Sequence, residues 1–255
     1  MFIETLSESK SKTFNQCSLK YKYKYVDKIK EDESDKDYLT FGSYIHKIFE
    51  LGYKEKDERN LLVIAEEQKK NYKFDDKFDK GTEKCIKNFL RFNSSLGETL
   101  CTEFPYEIEE QNDIKLNGVI DRVIKGTAGG LLVIDYKTSR TEQTELELFK
   151  DHQLQGYVYA CSKKFNVPYT SIVASHYYPL TNNFVKVRFT NQQIVKYRND
   201  KIQEVWKIRK MKINECVAKE NRFCNWCGYK SMCPLYVSQD VISQKLEEKK
   251  NQRSK

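Results

Sequence analysis

Asp121, Asp135 and Lys137 place two carboxylates and an ammonium within one stretch, LNGVIDRVIKGTAGGLLVIDYKTSR, from Leu116 to Arg140. Carboxylates are the hard oxygen ligands that Mg²⁺ and Mn²⁺ prefer. A lysine beside them can position a water and offset the charge that grows on a phosphate under attack. For that chemistry the three side chains must converge. Leu116 to Ile124 and Leu131 to Tyr136 read as two strands, joined by a Gly-rich turn over Lys125 to Gly130. Side chains alternate faces along a strand, so Asp135 and Lys137 point one way and Tyr136 the other. Pairing across the turn brings Asp121 near Asp135. A half-exposed hairpin with solvated charges would use the same residues. Against it stands LLVI, a buried-type run leading straight into Asp135, since ionised groups bordering a core strand are costly unless paired or metal-bound.

Further elements must surround this hairpin. Ser9 to Ile29 reads as one helix, with Cys17, Tyr21 and Tyr25 on a face beside the stripe Lys20, Lys24, Lys28. Glu31 to Asp37 is an acidic linker. Thr40 to Tyr53 is an amphipathic helix on which Gly42, His46 and Glu50 sit four apart, next to apolar Tyr44, Ile45, Ile48 and Phe49. Lys54 to Asn93 is charged and helical in tendency, an arm over one side of a sheet. Phe104 to Glu109 alternates as a first strand, and Glu107 in it is either a further acid or a solvated position. Glu142 to Lys164 reads as a helix in which Gln153 and Tyr157 lie one turn apart, as do Gln155 and Tyr159; His152 precedes them. Thr170 to Tyr178 and Phe184 to Phe189 are strands, and Asn191 to Asn214 is a long charged helix.

The chain has 45 Lys and Arg against 37 Asp and Glu, a net charge of +8 that favours a polyanionic partner through counterion release. No apolar run approaches the roughly 20 residues of a membrane helix, and MFIETLSESKSK lacks a signal-peptide core. The expectation is a cytoplasmic protein without a membrane partner. Eight cysteines in a reducing compartment are not a disulfide framework. Cys85, Cys101, Cys161 and Cys216 are scattered, whereas Cys224, Cys227 and Cys233 crowd into RFCNWCGYKSMCPLY. Such a C-x₂-C start suits zinc or an iron–sulfur cluster equally, and three thiolates are one ligand short for either. Ser238 to Lys255 reads as a charged, flexible tail.

Gly118–Val119–Ile120–Asp121 followed by Asp135–Tyr136–Lys137–Thr138 resembles the PD-(D/E)XK nuclease signature in its RecB-like form. Gly42 and His46 match the G-xxx-H helix that such nucleases carry upstream. Gln153–Tyr157 resembles their Q-xxx-Y helix, the leucine after Gln153 favouring that register. In the iron–sulfur type, which includes AddB, eukaryotic exonuclease V and the CRISPR-adaptation nucleases, one cysteine precedes the core and three follow it as C-x₂-C-x₅-C. Cys17, Cys224, Cys227 and Cys233 match. Ser18 departs from the proline usual after the first cysteine, and Asp135 from the more common glutamate.

The resemblance implies an α/β fold with a restriction-endonuclease-like core, a small mixed sheet flanked by helices, and a C-terminal iron–sulfur segment. One domain over 1–237 is expected, with the core over roughly 40–190. His46, Asp121, Asp135 and the Tyr136 carbonyl would hold Mg²⁺ or Mn²⁺. Asp121, Asp135, Lys137, Gln153 and Tyr157 would serve catalysis, and the four cysteines would hold a 4Fe–4S cluster. The implied function is a metal-dependent DNA exonuclease acting on single-stranded ends in recombination, repair or replication, with a helicase, recombinase or integrase as partner. A CRISPR-adaptation nuclease and a non-catalytic DNA-binding module are the alternatives, and the intact Asp121, Asp135 and Lys137 set argues against the second.

Overall fold

A computed structural model gives the fold and describes residues 3, 5–32 and 37–251. In chain order the elements are β1 (Thr5–Leu6), α1 (Glu8–Gln16), α2 (Ser18–Tyr21), a π turn (Lys22–Val26), α3 (Asp37–Gly52), α4 (Glu58–Lys69), α5 (Asp79–Ser94), β2 (Thr99–Glu110) and β3 (Ile114–Lys125). They continue with β4 (Leu131–Tyr136), α6 (Glu145–Leu148), α7 (His152–Phe165), β5 (Ile172–Tyr178), β6 (Asn183–Val187), α8 (Asn191–Lys210) and α9 (Gln239–Asn251). Where the sequence suggests one domain, the chain divides into two compact units. The larger comprises Lys36–Glu109 and Asn117–Asp200, the smaller Met1–Asp35, Glu110–Leu116 and Lys201–Lys255.

The larger unit is built on a mixed sheet in the order β3-β4-β5-β6, with β2 also pairing β3. β3 and β4 run antiparallel, Arg122 opposite Ile134. β4 and β5 run parallel, so their connection must cross over, and α6 and α7 make the crossing. Asp135 pairs with His176 and Tyr136 with Tyr177. Helices cover the sheet because each presents an apolar stripe. On α3 the buried positions Phe41, Tyr44, Ile45, Ile48, Phe49 and Gly52 follow the helical repeat. They meet Ile86 and Phe89 of α5 and, from the sheet, Ile124, Ile134, Tyr136 and Tyr177. Phe49 stacks on Phe89 with centroids 4.0 Å apart, and Phe92 on Tyr177 at 3.8 Å. α7, with Leu154, Val158 and Cys161 buried, packs on β4 and β5. The sheet therefore buries Tyr136 with α3 and α5, while Asp135, one residue earlier, turns toward α7.

In the smaller unit β1 pairs in parallel with Lys115 and Leu116. The single helix expected over Ser9 to Ile29 is broken at Cys17, which adopts φ −162° and ψ 112°. Its Sγ accepts the N–H of Lys20 at 3.4 Å, so the cysteine ends α1 and caps α2. Tyr23, Ile29, Tyr229 and Met232 form a small core of their own. Around it the two ends of the sequence are stitched together. Leu19 N–H donates to the Val217 carbonyl at 3.2 Å, Asp32 N–H to that of Gly228 at 2.8 Å, and the Tyr229 hydroxyl to that of Ile29 at 2.8 Å.

The segment expected as a flexible tail forms α9 over Gln239–Asn251. Ile242 is buried, Leu246 packs on the small core, and Lys249 pairs with Asp32 at 2.7 Å. Residues 252–255 of that segment, and 33–36 of the acidic linker, lie outside the described residues. Among the described residues no helix is long and apolar enough to cross a membrane.

Candidate active site

The β3–β4 register, continued one residue past Arg122 and Ile134, sets Asp121 opposite Asp135. Both carboxylates are buried, and Asp121 Oδ2 accepts the Tyr136 N–H at 2.7 Å. Gly42 lets α3 approach the end of β4. A Cβ there would meet Thr138 Oγ1 at 3.1 Å, tighter than an ordinary contact. One turn on, His46 stands with Nδ1 3.4 Å from Asp121 Oδ2 and Nε2 2.9 Å from the Tyr136 carbonyl oxygen. Burial disfavours its charge, yet Asp121, with Asp135 and Glu103 beyond, lifts its pKa from 6.5 to about 9. A protonated imidazole thus sits between the oxygens that a metal cation would bind.

Glu103 on β2 completes this corner, and sequence reasoning missed it. One ligand atom from each of His46, Glu103 and Asp121 lies within 4.8 Å of the others. Two ligands on opposite sides of Mg²⁺ are about 4.2 Å apart, given bonds of 2.0–2.1 Å, so the set fits a small divalent cation. The donors suit it too: two carboxylates, an imidazole and a backbone carbonyl. Glu103 has φ +44° inside a strand, a left-handed conformation that re-aims its side chain. Its pKa is raised by burial and by Asp121, against the pull of His46. Glu107, the acid considered on sequence grounds, is exposed, and Glu50 pairs with Lys47 at 2.8 Å.

Asp135 belongs to the other half of the site. Its Oδ2 lies 2.6 Å from Lys137 Nζ, which also donates to Gln153 Oε1 at 3.1 Å. Gln153 Nε2 donates to the Tyr157 hydroxyl at 2.8 Å, and that hydroxyl returns to Asp135 Oδ1 at 3.4 Å. Four side chains therefore close a ring. Gln155 instead donates to the Phe149 carbonyl at 3.0 Å, and Tyr159 packs near Tyr169. Burial raises Asp135 from 3.8 to about 6 against the pull of Lys137. Lys137, penalised by burial but held by Asp135, has its pKa raised, so it remains an ammonium. Burial and Asp135 push Tyr157 well above the usual tyrosine range.

Behind the ring lies His176, fully buried, which the sequence reading passed over. Its Nε2 is 3.4 Å from Asp135 Oδ2 and 3.9 Å from Asp151, the residue that caps α7. It thereby joins the D-x-K strand to the start of the Q-xxx-Y helix. His152 packs its ring near Tyr197 instead.

In the smaller unit Cys17, Cys224, Cys227 and Cys233 all line one cavity of about 30 Å³, with Lys20, Phe223, Lys230 and Tyr236 among its walls. Ser18 explains its own departure from proline: its hydroxyl donates to the Val217 carbonyl at 3.2 Å and accepts the Val217 N–H at 3.1 Å. Cys85 and Cys161 lie in the larger unit, and burial raises both thiols, Cys85 to about 12.

The family model described as the PD-(D/E)XK nuclease superfamily matches residues 5–234. The B-type subunit of the ATP-dependent helicase/deoxyribonuclease of Streptococcus agalactiae, in serotypes Ia, V and III, is 28% identical to the chain over 178 residues. That match covers 62% of this chain but 16% of the relative, so the chain spans a small part of those proteins. A structure from Eubacterium rectale, whose name proposes an exonuclease, aligns with TM-score 0.55 and 15% identity over 88% of this chain and 87% of its own. At that identity the likeness speaks to the fold.

Proposed function

Because the chain belongs to the PD-(D/E)XK nuclease superfamily, we propose that it hydrolyses phosphodiesters of DNA, as an exonuclease at single-stranded ends, with Mg²⁺ or Mn²⁺ in the larger unit. The observation that carries this reading is the ring of Asp135, Lys137, Gln153 and Tyr157 set beside the His46, Glu103 and Asp121 corner. His46, Asp121, Asp135 and the Tyr136 carbonyl would hold the cation, and Glu103 is added as a further ligand. Bound there, the cation would supply Lewis-acid charge to the phosphate and its attacking water.

The chain's own groups divide the remaining work. Lys137 stays charged and so is a poor proton acceptor. It holds the water by donating to it and offsets charge building on the pentavalent phosphate. Gln153 fixes the Nζ position of Lys137. Tyr157 clamps Gln153 against Asp135 and contacts the strand being cut. Burial of these groups lowers the local dielectric, which strengthens each interaction. A binding module without catalysis has no use for a buried ammonium braced on three sides, which disfavours that alternative.

Cys17, Cys224, Cys227 and Cys233 are proposed to hold a 4Fe–4S cluster that fastens the C-terminal segment to the N-terminal helices. Their convergence on one cavity supports this, since a cluster needs room between the thiolates. When bound, it would contribute its ligand bonds to folding. The named activity of the streptococcal relatives suggests a setting in recombination or repair beside a helicase, and a CRISPR-adaptation role would substitute an integrase. End-labelled single- and double-stranded DNA, incubated with anaerobically purified protein and Mn²⁺, tests the reading. Mononucleotide release from single strands is expected, and intact DNA under every metal condition would refute it.

A further inference from the structure

Around the cysteine cavity the smaller unit leaves several large aromatic and aliphatic side chains in solvent. Trp226 is 72% exposed, and Phe223 and Tyr236 are more than 40% exposed. A tryptophan is seldom so open unless something packs on it. Phe223 and Tyr236 help line the cavity, so they are explained as its walls; Trp226 does not line it. Cations are interleaved with these rings. The Arg222 guanidinium lies 4.8 Å from the Phe223 centroid and Lys230 Nζ 4.9 Å from that of Tyr236. Lys20 and Lys219 stand in the same wall, while Glu220 is the acid nearest in sequence.

We propose that this surface, centred on Trp226, binds single-stranded nucleic acid by stacking bases on its rings and pairing phosphates with Arg222, Lys219 and Lys230. Rings with interspersed cations match unpaired strands, whose bases offer a π-face and whose backbone offers a charge at every nucleotide. A duplex hides those faces. A protein partner would need acids matched to the four cations, so charge favours the nucleic acid. The surface belongs to a different unit from the catalytic groups, so its test and the cleavage test fail separately.

The experiment is binding without turnover. Full-length protein in EDTA is titrated with fluorescein-labelled oligothymidylate, following anisotropy and tryptophan emission; an unlabelled strand serves for the emission. Trp206 supplies the other indole, so the difference between wild type and Trp226→Phe isolates Trp226. Strand binding should quench the Trp226 emission. Trp226→Ala should weaken binding by about tenfold, with Trp226→Phe recovering most of it, and Arg222→Gln should flatten the salt dependence. Because Trp226 stands clear of the cavity, both variants should retain the cysteine-bound metal and the wild-type melting temperature. Wild-type affinity in Trp226→Ala would overturn the proposal. So would equal losses for single strand, duplex and heparin, because charge alone would then account for binding.

Discussion

At the level of single residues, the site is a charge-balancing problem. Asp121, Asp135 and Glu103 crowd together, and in the metal-free chain His46 and Lys137 are what offset them. His46 has its pKa raised to about 9, so its proton stabilises the metal-free fold fully below 6.5, and that contribution is lost as pH rises through 9. The melting temperature of metal-free protein should therefore fall over that window, and His46→Asn should flatten the fall. The same proton competes with the cation, so the half-saturating Mg²⁺ concentration should drop as pH rises from 6.5 toward 9. A metal requirement independent of pH would argue that His46 is not a ligand. His176 is testable by its effect on Asp135: His176→Gln keeps a polar contact and should preserve activity, whereas His176→Phe should cut kcat and leave strand affinity unchanged. Sequence reached Asp121, Asp135 and Lys137 because strand alternation fixes their facing. It missed Glu103, since no residue type announces a left-handed φ at a glutamate, and His176, since one polar residue in a run of strand formers looks like ordinary core.

Among the elements, α3 and the β3–β4 hairpin do the positioning, and their approach is set by glycines. Gly42 faces Thr138, and Gly118 faces Tyr106, where an added Cβ would lie 2.7 Å from the hydroxyl. Gly42→Ala should favour the helix by about 1 kcal/mol, yet it should push His46 from Asp121. The expected result is an unchanged or higher melting temperature with a raised half-saturating Mn²⁺ concentration, measured by activity against metal. A variant with wild-type metal dependence would show that the close approach is incidental. The hairpin, α3, α7 and the later strands were legible because their periodicity and burial agree. Two elements were not. The 3.6 repeat runs straight through Cys17, although its own thiol caps the next helix and breaks the run. α9 hid its helical pair Ile242 and Leu246 among charges that mask the pattern.

For the whole molecule, the four motif cysteines gather in a unit made from both ends of the sequence. Fastening them closes a long loop, and the unfolded-state entropy removed grows only logarithmically with its length. Cys17→Ser and Cys224→Ser should lose bound iron and visible absorbance and make residues 213–237 sensitive to protease. Cys85→Ser and Cys161→Ser should keep iron and activity. Stoichiometric zinc without sulfide would replace the cluster with a zinc staple. The division into two units was not legible, because the motifs of one are interleaved in sequence with the segments of the other. The central claim is that a charged Lys137 braced by Asp135, Gln153 and Tyr157 drives phosphodiester hydrolysis. Single-turnover cleavage of end-labelled DNA by wild type and Lys137→Ala, at saturating Mn²⁺ and matched iron content, measures it most directly. The account predicts a loss on the order of 10²-fold in the rate with unchanged DNA affinity; equal rates in the two proteins would contradict it.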